Sequence, residues 1–213
     1  MDLVSALLDV VLHLDRHLSD VIQHYGVWTY LILFLIVFAE TGLVVTPILP
    51  GDSLLFAAGT FAALGSLDPV LLTVLLIVAA VIGDGVNYWI GHWIGPKAFS
   101  GKVPWLRQDY LKRTEAFYGK HGGKTIILAR FVPIVRTFAP FVAGVGRMTY
   151  GRFLAYNVVG AVAWVTLCVT AGYFFGNLPF VRDNFSLVVL GIIGVSLIPL
   201  VVEWIRHRRA PAA

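Results

Sequence analysis

The sequence has little charge, a single cysteine and long stretches without any polar interruption. Only 13% of its 213 residues are charged, 58% are hydrophobic and the mean hydropathy is +0.83. Soluble domains carry about 25% charged residues, so this composition is typical of an integral membrane protein. Because Cys168 is the single cysteine, an intrachain disulfide and a cysteine-based metal site are excluded. We expect no metal ion and no other cofactor.

Positive charge is concentrated beside the apolar runs, although the net charge is only +4. Residues 97–124 contain seven Lys or Arg against two acids, and the tail 205–213 contains three Arg. Basic loops next to membrane spans orient a protein with those loops in the cytoplasm. This distribution therefore favours a cytoplasmic loop and a cytoplasmic C-terminus over nucleic-acid binding. The first residues also lack the pattern of a removable signal peptide.

The apolar runs predict an all-α polytopic protein that forms one integral-membrane domain over residues 1–213. A spanning helix needs about 20 apolar residues, and several runs meet that length. The predicted order is an amphipathic N-terminal helix (1–26), a broken segment (28–66), a span (69–96), the basic loop (97–124), a second broken segment (125–146), spans at 153–176 and 185–204, and the tail (205–213).

Two of these segments contain helix-breaking residues and are predicted to be re-entrant hairpins. The segment 125–146 has basic residues at both ends, so both ends face the cytoplasm, and its length suits two half-depth helices. The segment 28–66 is predicted to enter from the opposite side. Proline and glycine interrupt a helix because one removes a donor and the other frees the backbone. The predicted breakers are Pro47, Pro50, Gly51, Pro133 and Pro140.

The two broken segments also resemble each other. Phe56–Gly59 reads FAAG and Phe141–Gly144 reads FVAG, and each segment is followed by a span with two glycines four residues apart. Such glycines allow close helix contact. The pattern predicts a helical bundle in which two opposed hairpins are related by an inverted repeat. Because glycine is common in spans, chance similarity is the alternative.

Four charged residues, Glu40, Asp52, Arg130 and Arg136, lie within the broken segments. Ionisable groups at membrane depth are costly and by default functional. The planar fork of arginine suits a phosphate, so Arg130 and Arg136 predict a site for an anionic headgroup. Glu40 and Asp52 are candidates for proton coupling, since burial and a nearby arginine act on a carboxyl in opposite directions. Alternatively, the four charges only pair with one another and hold the hairpins together.

A secondary polar site is predicted at Asp84, Asn87 and Lys124. Asp84 and Asn87 share a span with His92, where a proton or ion path competes with simple hydrogen bonding between helices. The simpler interpretation is favoured for His92. Lys124 lies at the edge of the second hairpin and could attract lipid phosphate. The six tryptophans, Trp164 among them, are expected to serve packing and the membrane interface.

Three stretches resemble the DedA family of bacterial membrane proteins. They are Glu40–Gly59, Gly83–Gly95 and, most specifically, His121–Gly144, with the likeness continuing to Tyr156 and Asn157. The resemblance implies an inner-membrane protein with two opposed re-entrant hairpins. Members are implicated in undecaprenyl phosphate recycling, phospholipid scrambling and proton-linked envelope homeostasis. It further implies that the four charged residues of the broken segments are needed for activity.

The favoured function is a proton-linked lipid flippase or scramblase that moves undecaprenyl phosphate or a phospholipid between leaflets of the bacterial inner membrane. The expected partners are membrane lipids and protons, and a homo-oligomer is left open. The alternatives are a proton-driven transporter of a small ion or oxyanion, and a non-transporting protein of envelope homeostasis. We expect no enzyme, since the segment from Ile126 to Gly146 has no histidine to act as a base beside the arginines.

Overall fold

The computed structural model describes residues 26–43, 51–95, 97 and 108–183, and within these ranges every regular element is helical. The helices are α1 (Val27–Gly42), α2 (Gly51–Ala63), α3 (Pro69–Ile94), α4 (Gln108–His121), α5 (Thr125–Ala129), α6 (Pro133–Val145), α7 (Tyr150–Gly176) and α8 (Pro179–Asp183). The all-α prediction is confirmed for this part of the chain. The predictions for 1–25, Pro47, Pro50 and 185–213 lie outside it.

Among the described residues, two helices, α3 and α7, are long and apolar enough to cross a membrane. They have 26 and 27 residues, so at ~1.5 Å per residue each is about 40 Å long. That length exceeds the ~30 Å hydrocarbon core of a bilayer. On α3 the side chains of Val70, Val74, Val78 and Ile82 are exposed at intervals of one helical turn. An exposed apolar stripe of this kind suits contact with lipid chains.

The second broken segment is interrupted between α5 and α6. Val132 has an extended backbone, with φ −120° and ψ 107°, and Pro133 is the first residue of α6. This is the conformation that a proline imposes on the residue before it, and proline is well placed in a first helical turn. The break predicted at Pro133 is therefore present. Whether this segment enters and leaves the membrane on one side stays a prediction.

Pro140 does not break the helix, so the prediction was wrong at this residue. It lies inside α6, which runs without interruption from Pro133 to Val145. Proline removes a single backbone donor, and neighbouring turns can hold a helix together when packed protein surrounds it. Pro140 itself is buried, and the residues that follow it, Phe141 and Val142, belong to a buried cluster.

The basic segment that was predicted as a loop contains α4. This helix is amphipathic: Tyr110, Leu111 and Thr114 are buried, whereas Lys112 and Arg113 are exposed. Its buried face packs against α6, and the hydroxyl of Tyr118 donates to the carbonyl of Ala139 over 2.9 Å. Burial raises the pKa of Tyr118, so the hydroxyl keeps its proton and remains a donor.

The chain divides into two compact units. Of the described residues, unit 1 contains 26–29, 51–69 and 168–183, and unit 2 contains 30–43, 70–95, 97 and 108–167. Helices α3 and α7 contribute residues to both. Unit 2 contains Glu40, Asp84, Arg130 and Arg136.

Within the described residues, both units contain a very close helix crossing that is built from equivalent positions. In unit 1, a Cβ on Gly172 would lie 2.0 Å from the carbonyl oxygen of Phe56, and one on Gly59 would lie 2.2 Å from that of Val169. Real Cβ atoms do not approach a backbone oxygen so closely. The backbones of α2 and α7 therefore touch because both positions are glycine.

Unit 2 repeats this contact with the second FxAG sequence. A Cβ on Gly91 would lie 2.1 Å from the carbonyl oxygen of Phe141, and one on Gly144 would lie 2.0 Å from that of Tyr88. The close contact predicted for the glycine pairs is thus found at Gly91, Gly172 and also Gly176, where a Cβ would lie 3.0 Å from Cα of Thr60, but not at Gly95. The matching contacts support an internal repeat, and its inverted orientation stays a prediction.

Candidate functional site

Arg136 and Glu40 form an ion pair between the first turn of α6 and the last turn of α1. The Nη2 atom of Arg136 donates to Oε1 of Glu40 over 2.7 Å, and the two side chains are 13% and 7% exposed. Pro133 positions this arginine, since it starts α6 three residues earlier. Two of the four charges predicted as a site are therefore in direct contact.

Arg130 and Asp84 form a second, more deeply buried ion pair. Arg130 caps the C-terminus of α5, Asp84 lies on α3, and each side chain is 6% exposed. The same Nη2 atom of Arg130 that bonds Asp84 also donates to Oδ1 of Asn157 on α7 over 2.6 Å. The second predicted arginine is thus held by residues from two long apolar helices.

Trp164 on α7 lies against both guanidinium groups. The central carbon of Arg136 is 4.6 Å from the centroid of the indole, and that of Arg130 is 5.7 Å away. Both distances are within the range of a cation–π interaction, which strengthens when the groups are withdrawn from water. Trp164 is only 2% exposed. It is therefore part of the charged site, beyond the packing role that the sequence predicted.

The two ion pairs line a small cavity of about 10 Å³. Such a volume holds about one water molecule. The lining combines two carboxylates, two guanidinium groups, two hydroxyls and an apolar wall, which includes Trp164. The lining residues are Glu40, Thr41, Asp84, Ile126, Arg130, Arg136, Thr137, Pro140 and Trp164.

Asn87 fixes the helices that carry the Arg136–Glu40 pair. Its Nδ2 atom donates to the carbonyl of Thr41 on α1 over 3.0 Å and to that of Thr137 on α6 over 2.9 Å. Each acceptor immediately follows a charged residue of the pair, Glu40 and Arg136 respectively. Asn87 thus makes hydrogen bonds between helices. A proton or ion path through Asp84, Asn87 and His92 stays a prediction.

The remaining predicted residues in the described part of the chain are Asp52, Gly51, Lys124 and His92. Asp52 is exposed in the first turn of α2, in unit 1, where Gly51 is the first helical residue. Lys124 is exposed at the end of a short 3₁₀ turn between α4 and α5. His92 stacks on the ring of Tyr88, at a centroid distance of 6.1 Å.

Sequence reasoning missed the partners of Arg130. Asp84 was weighed as a secondary site, and Asn157 was noted only as part of a family resemblance. A usable signal was present for Asp84, because an acid near the middle of a span needs a positive partner and few are available. Amides and tryptophans are ordinary residues of spans, so the sequence held no comparable signal for Asn157 or Trp164.

Buried ion pairs between apolar helices, two of which are long and apolar enough to cross a bilayer, fit a membrane protein with a charged internal site. The VTT domain model matches residues 49–174, and the chain belongs to this family, the DedA family. The predicted membership is confirmed.

Named relatives agree with this assignment. The chain is 59% identical to Protein DedA of Escherichia coli strain K12 over 215 residues, which cover all of this chain and 98% of that protein. It is 46% identical to an uncharacterized membrane protein of Mycobacterium tuberculosis strain H37Rv, covering 84% of this chain and 79% of that one. It is 35% identical to Inner membrane protein YqjA of Escherichia coli strain K12, and the alignment covers 70% of this chain and 69% of that protein. No solved structure matches.

Proposed function

We propose that this protein moves a phosphate-bearing lipid between the leaflets of the bacterial inner membrane, with protons coupled to the movement. The observation that supports this proposal is the pair of buried arginines on one tryptophan, Arg130 and Arg136 on Trp164, around a shared cavity. Undecaprenyl phosphate and phospholipids both present an anionic phosphate to such a site. Their acyl or prenyl chains would stay in the surrounding lipid.

The chemistry of the ion pairs favours a phosphate ligand. Each guanidinium binds a carboxylate, which is an oxyanion with the geometry that an arginine fork also recognises in a phosphate. A phosphate could therefore replace a carboxylate without loss of hydrogen bonds. The low dielectric of a buried site strengthens such charge-assisted bonds, and the indole keeps both forks in place.

Proton coupling follows from the same exchange. When Glu40 takes up a proton it loses the charge that binds Arg136, and the arginine becomes available to an anion. Release of the proton would return the carboxylate to Arg136 and expel the anion. Neither step leaves a buried arginine without an acceptor, which would be costly. Asp52 remains the second candidate for proton uptake, on α2.

The proposal includes the predicted membrane arrangement. Residues 28–66 and 125–146 form opposed re-entrant hairpins, the C-terminus is cytoplasmic, and the chain crosses the membrane several times. A cavity lined by half-depth helices would let a polar headgroup cross while its tail remains in lipid. The exposed apolar stripe on α3 is compatible with a lipid boundary.

A second candidate is the transport of a small oxyanion. The cavity of about 10 Å³ is far smaller than a lipid headgroup, so lipid binding requires the helices around it to move apart. A small oxyanion would need less movement. The two candidates share the arginine site and differ in whether a lipid tail accompanies the anion.

Leaflet exchange in reconstituted vesicles tests the proposal. The purified protein is inserted into vesicles with fluorescent undecaprenyl phosphate, phosphatidylglycerol or phosphatidylethanolamine, and exchange is followed by quenching of the outer leaflet. We expect faster exchange of at least one phosphate lipid than in protein-free vesicles. Uptake of labelled inorganic phosphate without any lipid exchange would favour the second candidate. If the protein shows neither lipid exchange nor phosphate uptake, both candidate functions are contradicted.

A further inference from the structure

The acceptors around Arg130 are held in two different ways. Asn157 is fixed independently of Asp84, because its Nδ2 atom donates to the carbonyl of Val81 over 3.0 Å while its Oδ1 accepts from Arg130. The carboxylate of Asp84 bonds the same Nη2 atom of Arg130. Asn157 would therefore keep Arg130 oriented if Asp84 moved away.

One donor of Arg130 has no acceptor within the described part of the chain. The Nε atom is buried and makes no hydrogen bond there, although the side chain is only 6% exposed. A buried donor without an acceptor is unfavourable. Nε and Nη2 form one edge of the guanidinium, and this edge is a two-pronged fork for oxyanions. In the ion pair with Asp84 only the Nη2 prong is used.

Gly160 on α7 packs directly against Arg130. A Cβ at this position would lie 3.0 Å from Nε and 3.1 Å from Cδ of Arg130, which is tighter than an ordinary contact. Glycine therefore keeps a side chain from pressing on the unused prong. A phosphate that replaces the carboxylate of Asp84 can place one oxygen on each prong.

We propose that Asp84 is the displaceable counter-ion of Arg130, and that a phosphate group takes its place across Nε and Nη2 while Asn157 remains bonded. This inference rests on the proposed function, since it deepens the binding of a phosphate at the arginine site. Asp84 is then a competitor of the ligand, and Asn157 is a positioning residue for Arg130.

Neutralising Asp84 should change phosphate binding in opposite directions under this proposal and under a purely structural role. If Asp84 competes with phosphate, its neutralisation strengthens binding, because both the competitor and its repulsion are removed. If Asp84 only holds Arg130 in position, neutralisation weakens binding or leaves it unchanged. The substitution Asp84→Asn keeps the size of the side chain and removes its charge.

Equilibrium binding to the purified full-length protein in detergent provides the test. The probes are undecaprenyl phosphate and inorganic phosphate, at one fixed pH, and folding is checked by thermal unfolding. We expect Asp84→Asn to bind at least one probe about tenfold more tightly than wild type, as loss of a charge-assisted competitor implies. The matched control is Asp68→Asn, an exposed acid before α3, and we expect it to be unchanged.

A second variant keeps the proposal testable if Asp84→Asn does not fold. In Asn157→Asp the side chain keeps its shape and its acceptor oxygen, loses the Nδ2 donor to Val81 and adds a carboxylate to Arg130, so binding should fall about tenfold. Equal or weaker binding by folded Asp84→Asn, or unchanged or tighter binding by Asn157→Asp, would overturn the proposal.

If wild type binds phosphate in that case, the proposed function stands. If wild type and both variants bind neither probe, both ideas fail. Enhancement confined to one probe supports the inference and identifies the ligand as lipid or free anion.

Discussion

Arg136 donates a hydrogen bond of 2.7 Å to Glu40, a residue 96 positions earlier in the chain. The two residues come from different broken segments, so the contact joins α1 to α6 inside unit 2. This ion pair lies beside the Arg130–Asp84 pair, and both arginines contact Trp164. The two pairs and the tryptophan together form one charged site.

Neutralising Glu40 should uncouple transport from protons. In Glu40→Gln the amide still offers an oxygen to Arg136 but can neither gain nor lose a proton. We expect leaflet exchange to continue while its dependence on a proton gradient across the vesicle membrane is lost. The matched control, Glu115→Gln, changes an exposed acid on α4 and should respond to the gradient as wild type does. Unaltered gradient dependence in Glu40→Gln, at equal protein level, would rule out this role.

The Arg130–Asp84 pair should show strong coupling in a double-mutant cycle. Loss of one partner leaves a buried charge uncompensated, so Asp84→Leu or Arg130→Leu alone should lower the free energy of unfolding by about 3–5 kcal/mol. The double variant should lose much less than the sum, because no charge is then left alone. Chemical unfolding in detergent measures all four proteins. Additive losses would show that the pair does not couple.

Trp164 should support both arginines at once. In Trp164→Leu the cation–π contacts are lost, and a headgroup phosphate should bind more weakly even where the protein remains folded. Trp164→Phe keeps a smaller aromatic face and should recover part of the affinity. Trp93→Leu removes an indole that is 78% exposed and serves as the control. Equal phosphate affinity in the Leu and Phe variants of Trp164 would argue for packing alone.

The two glycine crossings should be equally intolerant of a methyl group. Gly91→Ala and Gly172→Ala each place a Cβ about 2 Å from a backbone oxygen, so the helices must separate. Overpacking of this kind costs about 1–3 kcal/mol, and the two losses should be similar if the units repeat. Gly119→Ala, where nothing lies within 4 Å, should be neutral or stabilising. Thermal unfolding separates these outcomes, and tolerance of alanine at Gly91 would contradict the crossing.

Much of the fold could be predicted from sequence because its signals are local. Uninterrupted apolar runs predict α3 and α7, and Pro133 predicts the start of α6. Pro140 was misread because the sequence does not show whether surrounding protein will hold a helix together after one donor is lost. Helix α4 was missed because its basic composition resembled a loop, although its apolar residues recur at helical spacing.

The sequence predicted individual charged residues of the site but not how they pair. Charges in apolar runs are conspicuous, so Glu40, Arg130 and Arg136 could be selected from the sequence. Which acid pairs with which arginine depends on helix register and on packing between distant segments, and the sequence does not encode either locally. For that reason Asp84 was ranked below Asp52, and Trp164 was not connected with the charges.

The most direct test of the central claim compares Arg136→Lys with wild type in the leaflet-exchange assay. Lysine keeps the positive charge but loses the planar fork, so a site that recognises phosphate by paired hydrogen bonds should lose most of its activity. Arg113→Lys, at an exposed position on α4, is the matched control. We expect exchange of the transported phosphate lipid to fall at least about tenfold in Arg136→Lys and to be unchanged in Arg113→Lys. Full exchange by stably folded Arg136→Lys would contradict the central claim.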